Sequence, residues 1–287
     1  MLVSVVIPVY NGEKTIKSAI ESVINQNCKD FELIIIDGNS SDNTMNIVSE
    51  FYNHISYYIS EPDNGYADAF NKGLKVASGD FIMMLASDDW LLPTAIDEFK
   101  NSVNHNTEVW CGSIIQKMPY GFRLRKSNPD LEKLRTGCSL ENPASFYKRN
   151  LFYKYGLFDI NWKCAADREM FLRLYVNGVK FQIEQTPIVL FEMGGLSTGD
   201  PEKYGIPEDE AISIKYGLNE DDAKEATKLT RNVLRKEKKR APLKKILSRI
   251  GLLKLIYKIV GKSDGCLTKS KLISFGLTHD KVKRNIK

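Results

Sequence analysis

Val3 to Val9 is a run rich in β-branched residues, closed by Pro8, Asn11 and Gly12. Beyond it, Ile16, Ala19, Ile20, Val23 and Ile24 recur at helical spacing between Lys14 and Gln26. This predicts strand, turn, helix. The pattern repeats as Phe31 to Ile36, the turn Asp37 to Asp42, and a helix carrying Met45, Ile47, Val48 and Phe51. A third strand is expected near Ile55 to Ile59, ahead of a helix from Tyr66 to Ala77, and a fourth from Phe81 to Leu85, ending at Ser87-Asp88-Asp89. Strands that are apolar throughout and alternate with helices predict an α/β fold, a mostly parallel sheet with helices on both faces. Ligands of such sheets collect at the carboxyl ends of the strands. Here those ends carry Pro8, Tyr10 and Asn11, then Asp37, then Glu61 and Asp63, then Asp88 and Asp89.

Each group has a plain structural reading as well. Asp37-Gly38 is a common turn dipeptide, and Ser41 or Asp42 is a suitable helix cap. Asp88-Asp89 resists that reading, because adjacent carboxylates repel and are usually kept for a cation or a polar ligand. In the second half, 108 to 126 reads as strands that extend the sheet. Further on, Asp167 precedes a helix whose Met170, Phe171 and Leu174 form an apolar stripe, so it is a candidate cap for that helix.

The chain has 287 residues, 43% hydrophobic and 27% charged, which excludes a disordered chain and leaves room for one large α/β domain with an appendage. Its five cysteines include no Cys-x-x-Cys pair, so a reducing cytoplasm is expected in place of a disulfide scaffold. Met1 to Pro8 lacks a basic flank and is too short for a signal peptide, and is expected to open the fold. Charge divides the chain. From Lys228 onward there are 19 Lys and Arg against Glu237, Asp264 and Asp280, a net +16, which leaves −11 for the first 227 residues.

Several motifs in order resemble family 2 of the inverting, GT-A type glycosyltransferases. They are Ser4-Val-Val-Ile-Pro-Val-Tyr-Asn11, Glu32 to Asp37 with Gly38 to Thr44, Glu61-Pro-Asp-Asn-Gly65 with Asp68 to Gly73, Ala77-Ser-Gly-Asp80, and Leu85-Ala-Ser-Asp-Asp89. The resemblance covers about residues 1 to 200. It implies a GT-A domain over 1–200, with a nucleotide-sugar half (about 1–105) and an acceptor half (about 106–200), followed by a basic helical extension over 201–287. It also implies the site. Pro8 and Tyr10 would wall the base, Asn11 would lie beside them, and Asp37 would accept a hydrogen bond from the base, favouring a UDP-sugar. Asp88 would contact the ribose, Lys72 would add charge near the donor, and Asp89 would hold Mn²⁺ or Mg²⁺ between the phosphates. Ser87 stands where the fullest motif has its first carboxylate, and Asn142 where many members carry His. Asp167, in Ala165-Ala-Asp167-Arg-Glu-Met, matches the family's general base. Gly194-Gly195 and Ser197 resemble a loop that closes near the diphosphate.

The implied activity is sugar transfer to a hydroxyl of a saccharide or lipid-linked acceptor in bacterial surface polysaccharide assembly. A sugar nucleotidyltransferase is a poorer match, because no Gly-rich loop with paired basic residues stands near Tyr10 to Glu13. A catalytically silent binding module of the same fold does not account for Asp37, Asp88, Asp89 and Asp167 together. Nucleic acid ranks last as a partner, since the basic tail lacks interleaved aromatics apart from Tyr257 and Phe275. Leu243, Ile246, Leu247, Ile250, Leu253, Tyr257 and Val260 recur at helical spacing among lysines. That predicts a helix over 242–260 lying on an anionic membrane surface, with the enzyme peripheral at the inner face of the cell membrane.

Overall fold

The computed structural model describes residues 1–118, 121–193, 201–249 and 266–277. The first half holds four strands, β1 (Val3–Val9), β2 (Phe31–Asp37), β3 (Tyr57–Ser60) and β4 (Phe81–Met84), arranged in parallel as β3-β2-β1-β4. Between them run α1 (Ile16–Ile24), α2 (Thr44–Ser49) and α3 (Tyr66–Val76). β3 begins two residues later than expected, because Tyr52–His54 form a 3₁₀ turn that delivers the chain to the sheet edge. Alternation along β1 divides the core. Val3, Val5, Ile7 and Val9 join the Ile16, Ala19, Ile20 and Val23 stripe of α1 on one face, while Val6 meets Ala69, Phe70 and Leu74 of α3 on the other. Gly73 allows this second approach, since a Cβ there would lie 2.4 Å from a γ-methyl of Val6.

The second half joins the sheet antiparallel. β8 (Ser145–Lys148) pairs with β4 and then with β6 (Val109–Met118). β9 (Phe181–Glu192) lies parallel to β6, and the two-residue β5 (Trp90–Leu91) closes the order, while β7 (Gly121–Arg125) forms a hairpin with β6. Phe99 of α4 (Ala95–Ser102) stacks on Phe146 at 4.1 Å, with Trp110 edge-on to both. α5 (Asn150–Tyr155) leads to α6 (Ala166–Val176), whose Met170, Phe171 and Leu174 are buried as the stripe predicted.

The expected division at residue 200 falls just ahead of an element that is built into the second half of the fold. After a π-helical turn (Pro201–Gly205), α7 (Ile206–Lys215) inserts Ile212 into the core beside α6. The long α8 (Glu220–Arg249) is fastened by the buried Ala223 and Thr227, and Leu229 and Val233 beyond them are 74% and 51% exposed. The chain then returns to the far end of the sheet. Leu267, Leu272, Phe275 and Leu277, around α9 (Lys269–Ser274), pack on Leu92, Ile115, Phe122 and Leu190. Of the expected 242–260 helix, the backbone is helical through Arg249, and 250–260 lie outside the described residues, as does the loop carrying Gly194-Gly195 and Ser197. Among the described residues no helix is long and apolar enough to cross a membrane.

Gly73→Ala is therefore expected to destabilise the protein by about 1–3 kcal/mol, because Val6 is β-branched, fully buried and has no room to yield. Urea unfolding checks it, and an unchanged midpoint would mean that α3 is free to shift away from β1.

Candidate functional site

The carboxyl ends of β1 and β4 open into a cavity of about 440 Å³ whose other walls come from β7, the segment before β8, the start of α6, the end of β9 and α7. Pro8, Asp88, Asp89 and Asp167 all line it. Residues 89 and 167 are thus brought together from opposite halves of the chain. The remaining candidates lie outside its wall, each for a visible reason.

Tyr10 projects its ring into solvent, 65% exposed, beside Gly38, where a Cβ would meet Asp63 Oδ2 at 2.5 Å and the Tyr10 ring at 3.4 Å. Asn11 adopts a left-handed φ of 50° and laces two loops together. Its N–H donates to Ser40 Oγ at 2.7 Å and its Oδ1 accepts from the Ser41 N–H at 2.9 Å. Asp37 is fully buried, and its carboxylate accepts from the Ser40 N–H (3.0 Å), the Ser40 hydroxyl and the Ser60 hydroxyl (2.5 Å), so it fixes the loop on which Tyr10 and Asn11 depend. Lys72 pairs with Glu61 at 2.9 Å and donates to the Pro62 carbonyl at 2.7 Å.

Asp89 is 2% exposed. Its Oδ1 accepts from the Glu192 N–H at 3.0 Å, and its Oδ2 is buried with no hydrogen-bond partner among the described residues. Desolvation first, then the charges of Asp88 and Glu192, push its carboxyl well above the ordinary range. A buried, unpartnered carboxylate oxygen among acidic neighbours fits a hard divalent cation, which would both partner it and cancel the repulsion. Among the described residues no three His, Cys, Asp or Glu side chains form a metal cage.

Asp167 is not the helix cap. The N-cap of α6 is Ala165, and Asp167 lies one position inside the first turn, with its Oδ1 accepting from the Arg168 N–H at 2.8 Å. Burial pushes its carboxyl up to about 6, with Asp209 adding to the shift and the Arg168 N–H and Arg125 opposing it. A carboxylate with that value is ionised near neutrality yet basic enough to accept a proton.

Several wall residues had no signal that the sequence reading used. Glu141 directly precedes the Asn142 already singled out, and its neighbour Arg125 pairs with it at 2.6 Å across the β7 hairpin. Burial raises Glu141 to about 7, with Arg125 opposing the shift and Asp167 adding to it. Asn142 is buried and accepts from the Tyr147 hydroxyl at 2.8 Å, so the residue standing in the family's His position is spent on packing the wall. Tyr66, at the start of α3, donates no side-chain proton to Asp167. Its hydroxyl accepts from the Ala166 N–H at 3.1 Å.

Residues 4–174 match the family described as Glycosyl transferase family 2, well over half of the chain. The chain belongs to that family. An uncharacterised glycosyltransferase of Rickettsia typhi is 30% identical over 202 residues, 64% of this chain, and the chain spans about 62% of that relative's length. A "PGL/p-HBAD biosynthesis glycosyltransferase" of Mycobacterium tuberculosis is 28% identical over 203 residues, 68% of this chain and 78% of that protein. Among solved structures, Staphylococcus aureus TarS 1-349 in complex with UDP-GlcNAc superposes with a TM-score of 0.62 at 19% identity, covering 79% of this chain and 70% of TarS 1-349. The mannosyltransferase PcManGT of Pyrobaculum calidifontis, in complex with GDP-Man and Mn²⁺, covers 99% of this chain and 82% of its own, with a TM-score of 0.57 at 16% identity. At those identities the likeness shows the fold, the GT-A arrangement expected from the sequence.

The raised carboxyls predict a pH signature. Glu141 and Asp167 bind protons more tightly folded than unfolded, between ordinary values of 4.5 and 3.8 and folded values of about 7 and about 6. Their contribution to stability is present at low pH and is lost as pH rises through that window. Glu141→Gln removes one of the two, so its melting temperature should fall less than that of the wild type between about pH 5 and about pH 8. Parallel curves would mean that Glu141 is not strained by its site.

Proposed function

We propose that the chain transfers a sugar from a nucleoside diphosphate sugar, a UDP-sugar for preference, to a hydroxyl of a saccharide or lipid-linked acceptor, in one inverting step. The observation that carries this reading is the shared cavity of Asp89 and Asp167: a buried, unpartnered carboxylate suited to a cation, and a carboxyl of pKa about 6 suited to accept a proton. The pairing of a diphosphate leaving group with an attacking hydroxyl needs both.

In this reading Pro8 and Tyr10 flank the base, and Asp37 serves indirectly by holding their loop through Ser40 and Ser60. Asp88, exposed and lining the cavity, would contact the ribose. Asp89 would hold Mn²⁺ or Mg²⁺, which when bound neutralises charge developing on the departing diphosphate. Asp167 takes the acceptor proton as the hydroxyl oxygen attacks the anomeric carbon from the face opposite the diphosphate. The UDP-GlcNAc in TarS favours uridine, and the GDP-Man and Mn²⁺ in PcManGT favour a cation while keeping guanosine as the alternative. The name of the mycobacterial relative supports cell-envelope glycan assembly, in keeping with bacterial surface polysaccharide synthesis.

The same reading places the protein at the inner face of the membrane, reached through the basic helix. Leu229 and Val233 lie one turn apart on α8 and are exposed, and Arg235, Lys236 and Lys239 follow them on the surface. Basic residues near an anionic bilayer contribute about 1 kcal/mol each, in addition to any apolar insertion.

Asp167→Asn should lower transfer by roughly two to four orders of magnitude with donor affinity nearly unchanged, the usual scale of general-base loss. Calorimetry with UDP, dTDP and GDP, with Mn²⁺ and with EDTA, measures the donor side. No binding to any of them defeats the donor assignment, equal binding in EDTA defeats the cation on Asp89, and near-normal turnover by Asp167→Asn defeats the base.

Membrane attachment is tested with the whole chain, because cutting at Thr227 would also strip Leu272 and Leu277 from the core. Replacing Lys244, Lys245, Arg249, Lys254 and Lys258 together by Gln should release the protein from anionic liposomes in a sedimentation assay while donor binding persists. Equal sedimentation of this variant and the wild type rejects the 242–260 segment as the attachment surface.

A further inference from the structure

The start of α6 lacks a cap of its own. Ala165 stands at the N-cap position and offers no side-chain acceptor, so the backbone N–H groups there need partners from elsewhere. One carboxylate holds the N-cap N–H and the turn that leads into it. Glu208, on α7, accepts from the Lys163 N–H at 2.8 Å through Oε1, and from the N–H groups of Cys164 at 2.8 Å and Ala165 at 2.9 Å through Oε2. The next N–H, that of Ala166, goes to Tyr66 of the donor half. On the other side of Asp167, Arg168 is 1% exposed and also turns to α7. Its Nη1 donates to the Asp209 carbonyl at 2.6 Å and pairs with the Asp209 carboxylate at 3.1 Å, and its Nη2 reaches Ser213 Oγ at 2.8 Å. Asp167 therefore sits between two anchorages, at 163–165 and at 168, the first made by α7 and the second shared by α7 with the carbonyls of Leu134 and Arg135.

We infer that Glu208 is a positioning residue for sugar transfer: by capping the turn before α6 from α7, it holds the Asp167 carboxylate at the geometry the acceptor hydroxyl requires. The inference rests on the reading of Asp167 as the base. Charge-assisted hydrogen bonds from a carboxylate to backbone N–H groups are short and directional, and a helix N-terminus favours the negative charge. Glutamine does not replace it, because its amide nitrogen would face a backbone N–H, donor against donor. Its remaining oxygen would hold one side of the turn and leave the other unsupported. Aspartate keeps the charge but falls short by one methylene. A base displaced by about 1 Å loses roughly a hundredfold in rate, which sets the scale.

Five variants of the full chain test this, each first shown to bind UDP with Mn²⁺ as tightly as the wild type, so that only folded protein is counted. Glu208→Gln should lower kcat roughly ten- to hundredfold with the KM for the donor unchanged, and Glu208→Asp should fall between it and the wild type. Glu210→Gln is the control for mere stability. Two residues along the same helix, Glu210 ties α7 to Thr227 and Arg231 of α8, so this variant should melt earlier but keep kcat. Because Glu208 acts through Asp167, the double variant Asp167→Asn with Glu208→Gln should be no slower than Asp167→Asn alone. Wild-type kcat in Glu208→Gln beside an inactive Asp167→Asn overturns the positioning role and leaves the base standing. So does a multiplicative loss in the double variant. An active Asp167→Asn overturns the base itself.

Discussion

Carboxylates crowded out of water repel one another, and the cavity is organised around that constraint. Asp88, Asp89, Glu141, Asp167, Glu192 and Asp209 line it against two guanidinium groups, Arg125 and Arg168. Three of the six are compensated by protein: Glu141 by Arg125, Asp209 by Arg168, and Glu192 by Lys117 at 2.7 Å. That leaves Asp88 at the mouth, Asp89 with an oxygen that nothing in the described chain satisfies, and Asp167 with a raised pKa. Uncompensated groups in a low-dielectric site destabilise the fold, and such strain is commonly retained where chemistry uses it. A cation would relieve the first pair. A proton in transit would relieve the third.

The sheet makes that crowding possible by joining two kinds of pairing. The parallel half, β3-β2-β1-β4, directs the carboxyl ends of its strands toward one edge and so delivers Pro8 and the Asp88-Asp89 pair. Antiparallel β8, beside β4, turns the second half back across the same edge and brings Glu141 and the start of α6 to face them. The aromatic cluster of Phe99, Trp110 and Phe146 packs under this junction, which gives the two halves one core and keeps the cavity walls from sliding.

Charge and packing divide the chain at different places. Composition changes sign at Lys228, whereas packing carries the cavity-bearing lobe through α7 and into α8 as far as Thr227, and then recovers the chain at Leu267 to Leu277. The segment after residue 200 thus serves two purposes. Its first helix holds both sides of Asp167 through Glu208 and Asp209, and its second presents the basic surface, with Glu210 joining the two.

The sequence by itself determined the parallel half, the family and the short motifs at the strand ends, because these depend on local periodicity and on residues adjacent in the chain. Helix α6 was legible for the same reason: Met170, Phe171 and Leu174 are spaced as a buried stripe must be. Which motif residues reach the cavity was decided only by the tertiary structure. Asp37 and Lys72 carry no mark in one dimension of the partners they take in the fold, Ser60 for the former and Glu61 for the latter, each more than ten residues away along the chain. Glu141 and Glu208 carried no pattern at all, since a carboxylate becomes a wall or a cap only when Arg125 or the N–H groups of Lys163 to Ala165 are folded against it. Hydrophobic periodicity is a property of neighbours along the chain, and compensation of charge is a property of neighbours in space, which is why the first could be read and the second had to be seen.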